Sequence, residues 1–439
     1  MINVIELLEQ LPDKGFELNL VQAELCNETH VIKGTGRLAQ NDEHELRLTI
    51  INAQAPDYDQ EVHHHLMTLN DHFDQTRIVG KNDYYKLTAI DEFGNHVTCE
   101  YIDLQENYQK RVYRARLRFN LWIKPNSTIE APPFDRAQAF FRNQYDFARF
   151  HDVWEHAVDD LQCSLKKKGR YLQFELLSSN RNIDPTMVKQ ATESLDFVMG
   201  LEHEFDYIVY TGKKFTDWQI EVTYQPQAPI NTSTFTPPYR RTGSQGDEEA
   251  INSLLFKDYY QFLKSDPKSI LTKWHKRIVD SGTGYYYKHG MILSIGIEKI
   301  LRVYYPYQQE NQVAIDPEEI AKLIEFSETL SDKILQTKLK NFVKGLPSQN
   351  YVPKRILTKL EEKHIISQGS QKSWTQLRNT YAHGSDYNDD MHQAIDLVRK
   401  NVTLYYELIF HQINYQGRYT NYFQPRNREL INYPPTTNI

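Results

Sequence analysis

Apolar and polar side chains alternate one for one through most of residues 14–124, and β-branched residues are frequent there, the pattern of strands that bury one face. It predicts strands over 29–38, 44–52, 84–90, 96–102 and 113–123. Two intervals read as hairpin turns, Gln40-Asn41-Asp42 and Glu92-Phe93-Gly94-Asn95, because Asn, Asp and Gly tolerate turn conformations. The next stretch is mixed: a helix over 147–158, a strand over 171–178, a helix over 184–199 and a strand over 218–224. Asp184 before Pro185 reads as an N-cap followed by a first-turn proline. The expectation for residues 1–225 is an antiparallel, sandwich-like β domain with a mixed α/β second half.

Residues 226–246 break the pattern, with four prolines, six Ser or Thr, two arginines and no acid, and read as an extended linker. Helical periodicity follows. Ile251, Leu254, Leu255, Tyr259, Phe262 and Leu263 keep it, as do Leu293, Ile297, Ile300 and Tyr304. Asp316-Pro317-Glu318-Glu319 starts a helix with Ile320, Leu323 and Ile324 on its inner face. Pro353 opens another through Ile356, Leu357, Leu360 and His364. Two more are expected over 373–383, stopped by Gly384, and over 389–413. Residues 247–415 are therefore an α-helical bundle, and 416–439 an extended basic and aromatic tail. The whole is an α+β, two-domain chain.

A length of 439 residues suits two or three domains, and 40% hydrophobic with 25% charged residues suits folded cores. The 29 tyrosines serve buried cores and stacking surfaces equally well. A net charge of −7 excludes coating of nucleic acid by bulk charge, so any such site is local. Cys26, Cys99 and Cys163 lie far apart, which supports neither a disulfide framework nor a zinc site. With no basic-then-apolar leader and no apolar run near ~18 residues, the sequence predicts a soluble cytoplasmic protein without membrane contact.

Several motifs fail on context. Gly34-Thr-Gly36-Arg-Leu-Ala39 has the letters of a dinucleotide fingerprint, but a turn and a strand follow where a helix is needed. His63, His64, His65 and His72 lack metal-ligand spacing and read as a polar loop around a helix over 66–73. His151 and His156, flanking Trp154, read as a helix surface. No metal or cofactor is called for.

One constellation survives: Trp374-Thr-Gln-Leu377-Arg378-Asn379-Thr380-Tyr381-Ala382-His383-Gly384, an Arg-x4-His with a polar residue after the arginine, at the end of a helix within a bundle. Together with Ser294-Ile-Gly-Ile-Glu298-Lys-Ile-Leu301 on an earlier helix, it resembles the HEPN superfamily (higher eukaryote and prokaryote nucleotide-binding), whose nucleases carry Arg-x4 to 6-His in this setting. The likeness spans residues 270–413. A strand-rich first half before the bundle is similar to Apea-like proteins, single-chain bacterial antiviral factors. The resemblance implies RNA cleavage in antiviral defence and abortive infection, a homodimer through the C-terminal bundle, and a phage-derived trigger at the N-terminal domain.

Chemistry points to the same residues. Hydrolysing RNA without metal takes a base for the 2′-OH, an acid for the 5′-oxygen and a cation on the phosphate. One His and one Arg cannot fill three roles, and a two-fold dimer doubles the set. His383 is the proton-transfer candidate, Arg378 the phosphate fork, and Asn379 a donor to phosphate or an orienter of His383. Trp374, Leu377 and Tyr381 keep core spacing. Glu298 reads as a buried partner for a bundle cation, Arg378 among the candidates, and Tyr387 is similar in place to tyrosines that are nucleotidylated in HEPN toxins. Residues 335–378 hold nine Lys or Arg against Glu361 and Glu362, and Lys354, Arg355, Lys359 and Lys372 would steer RNA, tRNA among the candidates. Two rivals stand beside this reading: a non-catalytic HEPN module that binds nucleotide or a partner, and an adaptor whose β domain binds the ligand.

Overall fold

The structure, a computed structural model, describes residues 17–28, 31–40, 46–52, 84–105, 112–117, 121–124, 134–142, 153–168, 171–180, 182–200, 207–212, 218–222, 237–239, 245–266, 269–282, 286–305, 317–330, 332–345, 353–382, 391–423 and 430–435. They form two compact units, residues 1–192 with 203–232 and residues 193–202 with 233–439.

In the first unit, β1 (Glu17–Cys26), β2 (Val31–Gln40), β3 (Leu46–Asn52), β4 (Tyr85–Asp91), β5 (His96–Gln105) and β6 (Val112–Leu117) pair antiparallel in the order β4-β1-β2-β3-β6-β5. A β4–β5 pairing closes that row into a ring. Closure removes exposed edges and turns Leu18, Leu20, Leu25, Leu38, Ile50, Leu87 and Val97 into a shared buried core. The first six strands are thus one sheet closing on itself, a correction to the sandwich-like expectation. The strand expected over 113–123 is likewise two: β6, and β7 (Leu121–Lys124), which sit on different lengths of β5. The turn at residues 92–95 is as expected. Asp91 Oδ1 accepts from the amides of Phe93 (2.9 Å) and Asn95 (2.7 Å), and Gly94 takes φ 82°.

From β7 the sheet continues through β8 (Phe134–Arg142), β9 (Val153–Val158), β10 (Leu161–Lys168), β11 (Tyr171–Ser178), β12 (Tyr207–Gly212) and β13 (Trp218–Val222), in the order β7-β13-β12-β8-β11-β10-β9. Helix α1 (Pro185–Met199) connects β11 to β12, which flank β8 on either side. Its start is as read, since Asp184 Oδ1 accepts from Met187 N at 2.9 Å. Where a helix was expected over 147–158, the chain forms β9. Trp154 and Val158 are buried while Glu155 and Ala157 are exposed, a period of two. Asp159, at φ 55°, then turns the strand into β10 within two residues, so His156 lies on a strand.

The second unit contains α2 (Gln245–Ser265), α3 (Ile270–Ser281), α4 (Tyr286–Tyr304), α5 (Pro317–Glu328), α6 (Lys333–Gly345), α7 (Pro353–Glu362), α8 (Ser370–Ala382) and α9 (Met391–Gln412). Helix α4 is central, packing on α3, α7, α8 and α9. Four expectations change here. Helix α7 ends at Glu362, and His364 lies beyond it in the left-handed region at φ 55°. Leu323 on α5 is exposed rather than inward. The supposed tail folds back: β14 (Arg418–Thr420) pairs with β15 (Leu430–Asn432), and Tyr419, Tyr422 and Tyr433 are buried. The end of the supposed linker is also built in, since Tyr422 Oη donates to Pro237 O (2.6 Å) and Thr420 N to Pro238 O (3.1 Å).

Much of the tyrosine excess is core. Of the largest fully buried side chains, eight are tyrosines, including Tyr259, Tyr405, Tyr406, Tyr415 and Tyr419. Phe197 stacks on Tyr259 with centroids 4.3 Å apart.

Candidate functional site

The Arg-x4-His helix α8 is fixed from three sides. At its start Glu361 Oε1 accepts from Gln371 N at 2.6 Å, placing a carboxylate at the positive helix end. Against α9, Asn401 Nδ2 donates to Ser373 Oγ at 2.9 Å. Toward α4, Trp374 and Leu377 are buried and Trp374 Nε1 donates to Ser294 O at 3.4 Å. These are the core positions expected from spacing.

Further along, Gly290 on α4 gives way to the Tyr381 ring, and a Cβ there would stand 2.5 Å from a ring carbon. Glycine is required by close approach of the two helices, not by backbone angle. Gly290→Ala is therefore expected to destabilise the bundle by about 1–3 kcal/mol through overpacking. Tyr381→Ala made with it should return most of that increment, which paired thermal melts would check; equal melting of the wild type and Gly290→Ala would contradict the contact.

Arg378 leaves this face toward solvent, 44% exposed, and its Nε lies 3.4 Å from Oε2 of Glu298, itself 27% exposed. The other carboxylate oxygen, Oε1, is 3.7 Å from Arg302. The Arg378 guanidinium also sits 5.9 Å from the Trp374 ring centroid, within cation–π range. A pair this exposed adds little stability; its effect is to orient. With Nε engaged, the two terminal amino groups bond to no described residue, which leaves the planar fork available for an anion.

Asn379 is exposed one residue on, and Lys372, Gln376 and Asn379, at i, i+4 and i+7, share one exposed helix face. Lys354, Arg355 and Lys359 are exposed on α7, which packs on α8 and α4. Beside the motif, α4 exposes Met291 and Ile295, one turn apart and leading into Glu298. His383 and Tyr387 lie outside the described residues.

A second polar centre was not anticipated. Glu407 on α9 is fully buried and accepts from Ser367 N at 2.9 Å, from Ser367 Oγ, and from Tyr419 Oη at 2.5 Å. Burial pushes its carboxyl up to about 7, against the lowering effect of these donors. It ties α9 to the segment before α8 and to β14. A lone acid inside the run Leu404-Tyr-Tyr-Glu-Leu-Ile-Phe410 is the sequence signal that marks it.

His289, next to Gly290, is buried too, and burial pulls its imidazole down to about 4. Ser281 Oγ donates to Ile278 O (2.7 Å) and lies 2.8 Å from His289 Nδ1. A cavity of about 470 Å³ opens at the ends of α7 and α9 between Lys363, His364, Phe410, His411 and Tyr433. Burial, and after it the charge of Lys363, lower the His411 imidazole from its ordinary value.

Compared with known proteins, the chain matches no family model, no curated protein and no solved structure. Among the described residues no three His, Cys, Asp or Glu side chains group as a metal site, and no helix is long and apolar enough to cross a membrane. Cys26, Cys99 and Cys163 form no disulfide.

Proposed function

We propose that the chain is a metal-independent endoribonuclease of HEPN type acting in antiviral defence in the cytoplasm. The observation that carries the reading is the state of Arg378. It is oriented through Nε by Glu298 and by the Trp374 ring, with its terminal amino groups free of described partners, on the helix that leads to His383. A merely structural arginine would spend its fork on neighbouring carbonyls. Here no described residue takes the fork, which suits it to a phosphate.

In the reaction proposed, the 2′-OH attacks the adjacent phosphorus and the 5′-oxygen leaves. The base takes the 2′-proton, the acid protonates the leaving oxygen, and Arg378 balances the charge on the phosphoryl oxygens. His383 supplies proton transfer, and Asn379 donates to phosphate or orients His383. A homodimer through the C-terminal bundle brings two such sets to one cleft. Exposed Lys354, Arg355, Lys359 and Lys372 attract the RNA backbone, and the β unit carries the sensing role, with a phage-derived trigger.

RNA association tests the part given to Arg378. Arg378→Ala should weaken binding and flatten its salt dependence, because a phosphate contact releases counterions. Arg378→Lys should recover little, as an ammonium has neither the Nε edge that meets Glu298 nor the fork. Binding and salt slope equal to wild type in Arg378→Ala would remove the phosphate role.

A further inference from the structure

Four large apolar side chains stand in solvent within residues 323–335: Leu323 and Phe326 on α5, Ile334 and Leu335 on α6. Phe326 is 58% exposed and Ile334 69%. The two helices pack on each other as a hairpin, with Lys340 Nζ 2.5 Å from Glu328 Oε1 and Gln336 Nε2 donating to Glu328 O at 3.3 Å. Asp332 caps α6 by accepting from Ile334 N at 2.8 Å.

Among the residues of the two helices whose side chains are described, only Ser327 and Val343 are buried. Helices of 12 and 13 residues are marginal alone and persist by burying an apolar face against a second layer.

The charges say what that layer is. Helix α5 carries Glu318, Glu319, Glu325 and Glu328 against Lys322, whereas α6 carries Lys333, Lys338, Lys340 and Lys344 with no acid. An acidic helix beside a basic one is complementary to itself under a two-fold rotation. Other partners need a matching bipolar surface, and a second copy brings one by construction.

We propose that the α5–α6 hairpin docks a second copy of this chain. The two hairpins join as a four-helix bundle in which each α5 lies along the partner subunit's α6, the exposed apolar residues forming the seam. The inference stands on the hairpin's own residues and goes beyond the nuclease reading, which needs a dimer but does not place its seam here.

Sedimentation velocity on the full chain at micromolar concentration and physiological salt tests it. Wild type should be a dimer, and Phe326→Asp with Ile334→Asp should raise the dimer dissociation constant on the order of 10²-fold or more. Both substituted positions are solvent-exposed, so folding should survive, and unchanged circular dichroism would show it. Two charge variants close the test: Glu318→Lys with Glu325→Lys makes both helices basic, and Lys333→Glu with Lys338→Glu cancels the charge of α6 beside an acidic α5. Each alone should dimerise more weakly than wild type, and an equal mixture should form the heterodimer in preference to either homodimer. A monomeric wild type, a dimer untouched by the aspartates, or charge variants that fail to pair when mixed would each overturn the proposal. No readout involves RNA, so loss of the nuclease reading leaves this test intact. A dimer that ignores the aspartates yet cleaves RNA would sink only the hairpin.

Discussion

Replacing Glu407 by alanine should cost about 3–5 kcal/mol, among the largest losses available to a single substitution in the helical unit. Three donors converge on this carboxylate from two different segments, Ser367 before α8 and Tyr419 in β14. Removing it strands a backbone amide and two hydroxyls and opens a cavity beside the tyrosine core. Calorimetric or spectroscopic melting measures the loss, and a change below about 1 kcal/mol would contradict the network.

Glu407→Gln isolates the charge. Burial holds the folded carboxyl near 7, above its ordinary value of 4.5, so folding takes up a proton in between. The contribution is therefore most favourable below pH 4.5, declines as pH rises toward 7, and is flat above. From that shift the change is on the order of 3 kcal/mol at most. His289 acts with the opposite slope, losing stability as pH falls from about 6.5 toward 4. Comparison of wild type with Glu407→Gln cancels that contribution. Between pH 5 and 8 wild type should lose stability relative to the variant, and parallel curves would place the carboxyl at its ordinary value.

His383→Ala should lower RNA cleavage by ~10²-fold or more while RNA binding changes little, because proton transfer contributes in the transition state and not in the bound complex. Arg378→Ala differs in kind, since its fork meets phosphate in both states and both cleavage and association fall. Stability separates these outcomes from structural damage. The Arg378–Glu298 pair is too exposed for its loss to move melting by more than about 1 kcal/mol. Loss of cleavage with wild-type melting belongs to the site; loss that tracks melting belongs to the fold.

Local chemistry made parts of this structure readable from the sequence. The Asp91 to Asn95 turn, the Asp184-Pro185 helix start and the inward Trp374 and Leu377 follow from residue type and spacing. So does Glu298 beside Arg378, a pairing of opposite charges on two helices, although the carboxylate expected to be buried is 27% exposed. What failed depended on partners far along the chain. Period-two burial of Trp154 and Val158 is only three alternations long, and Asp159 and Asp160 turn the chain without the glycine that marks most two-residue hairpins. Closure of the first six strands needs the β1–β4 and β3–β6 pairings, which join strands far apart in the chain and which no local pattern encodes. Leu323 keeps helical spacing with Ile320 and Ile324 yet faces solvent, because periodicity marks an apolar face without saying whether this chain supplies its cover. The last residues looked like a tail since arginines punctuate them, whereas the tyrosines between them complete the core around Phe410.

The most direct test of the central claim is the chemistry of the RNA ends left by the full chain in excess EDTA, beside His383→Ala of equal melting temperature. Cleavage that survives the chelator, leaves 2′,3′-cyclic phosphate or 3′-phosphate ends and disappears in His383→Ala is the predicted result. Ends bearing 3′-hydroxyl, activity abolished by EDTA, or a fully active His383→Ala would contradict it.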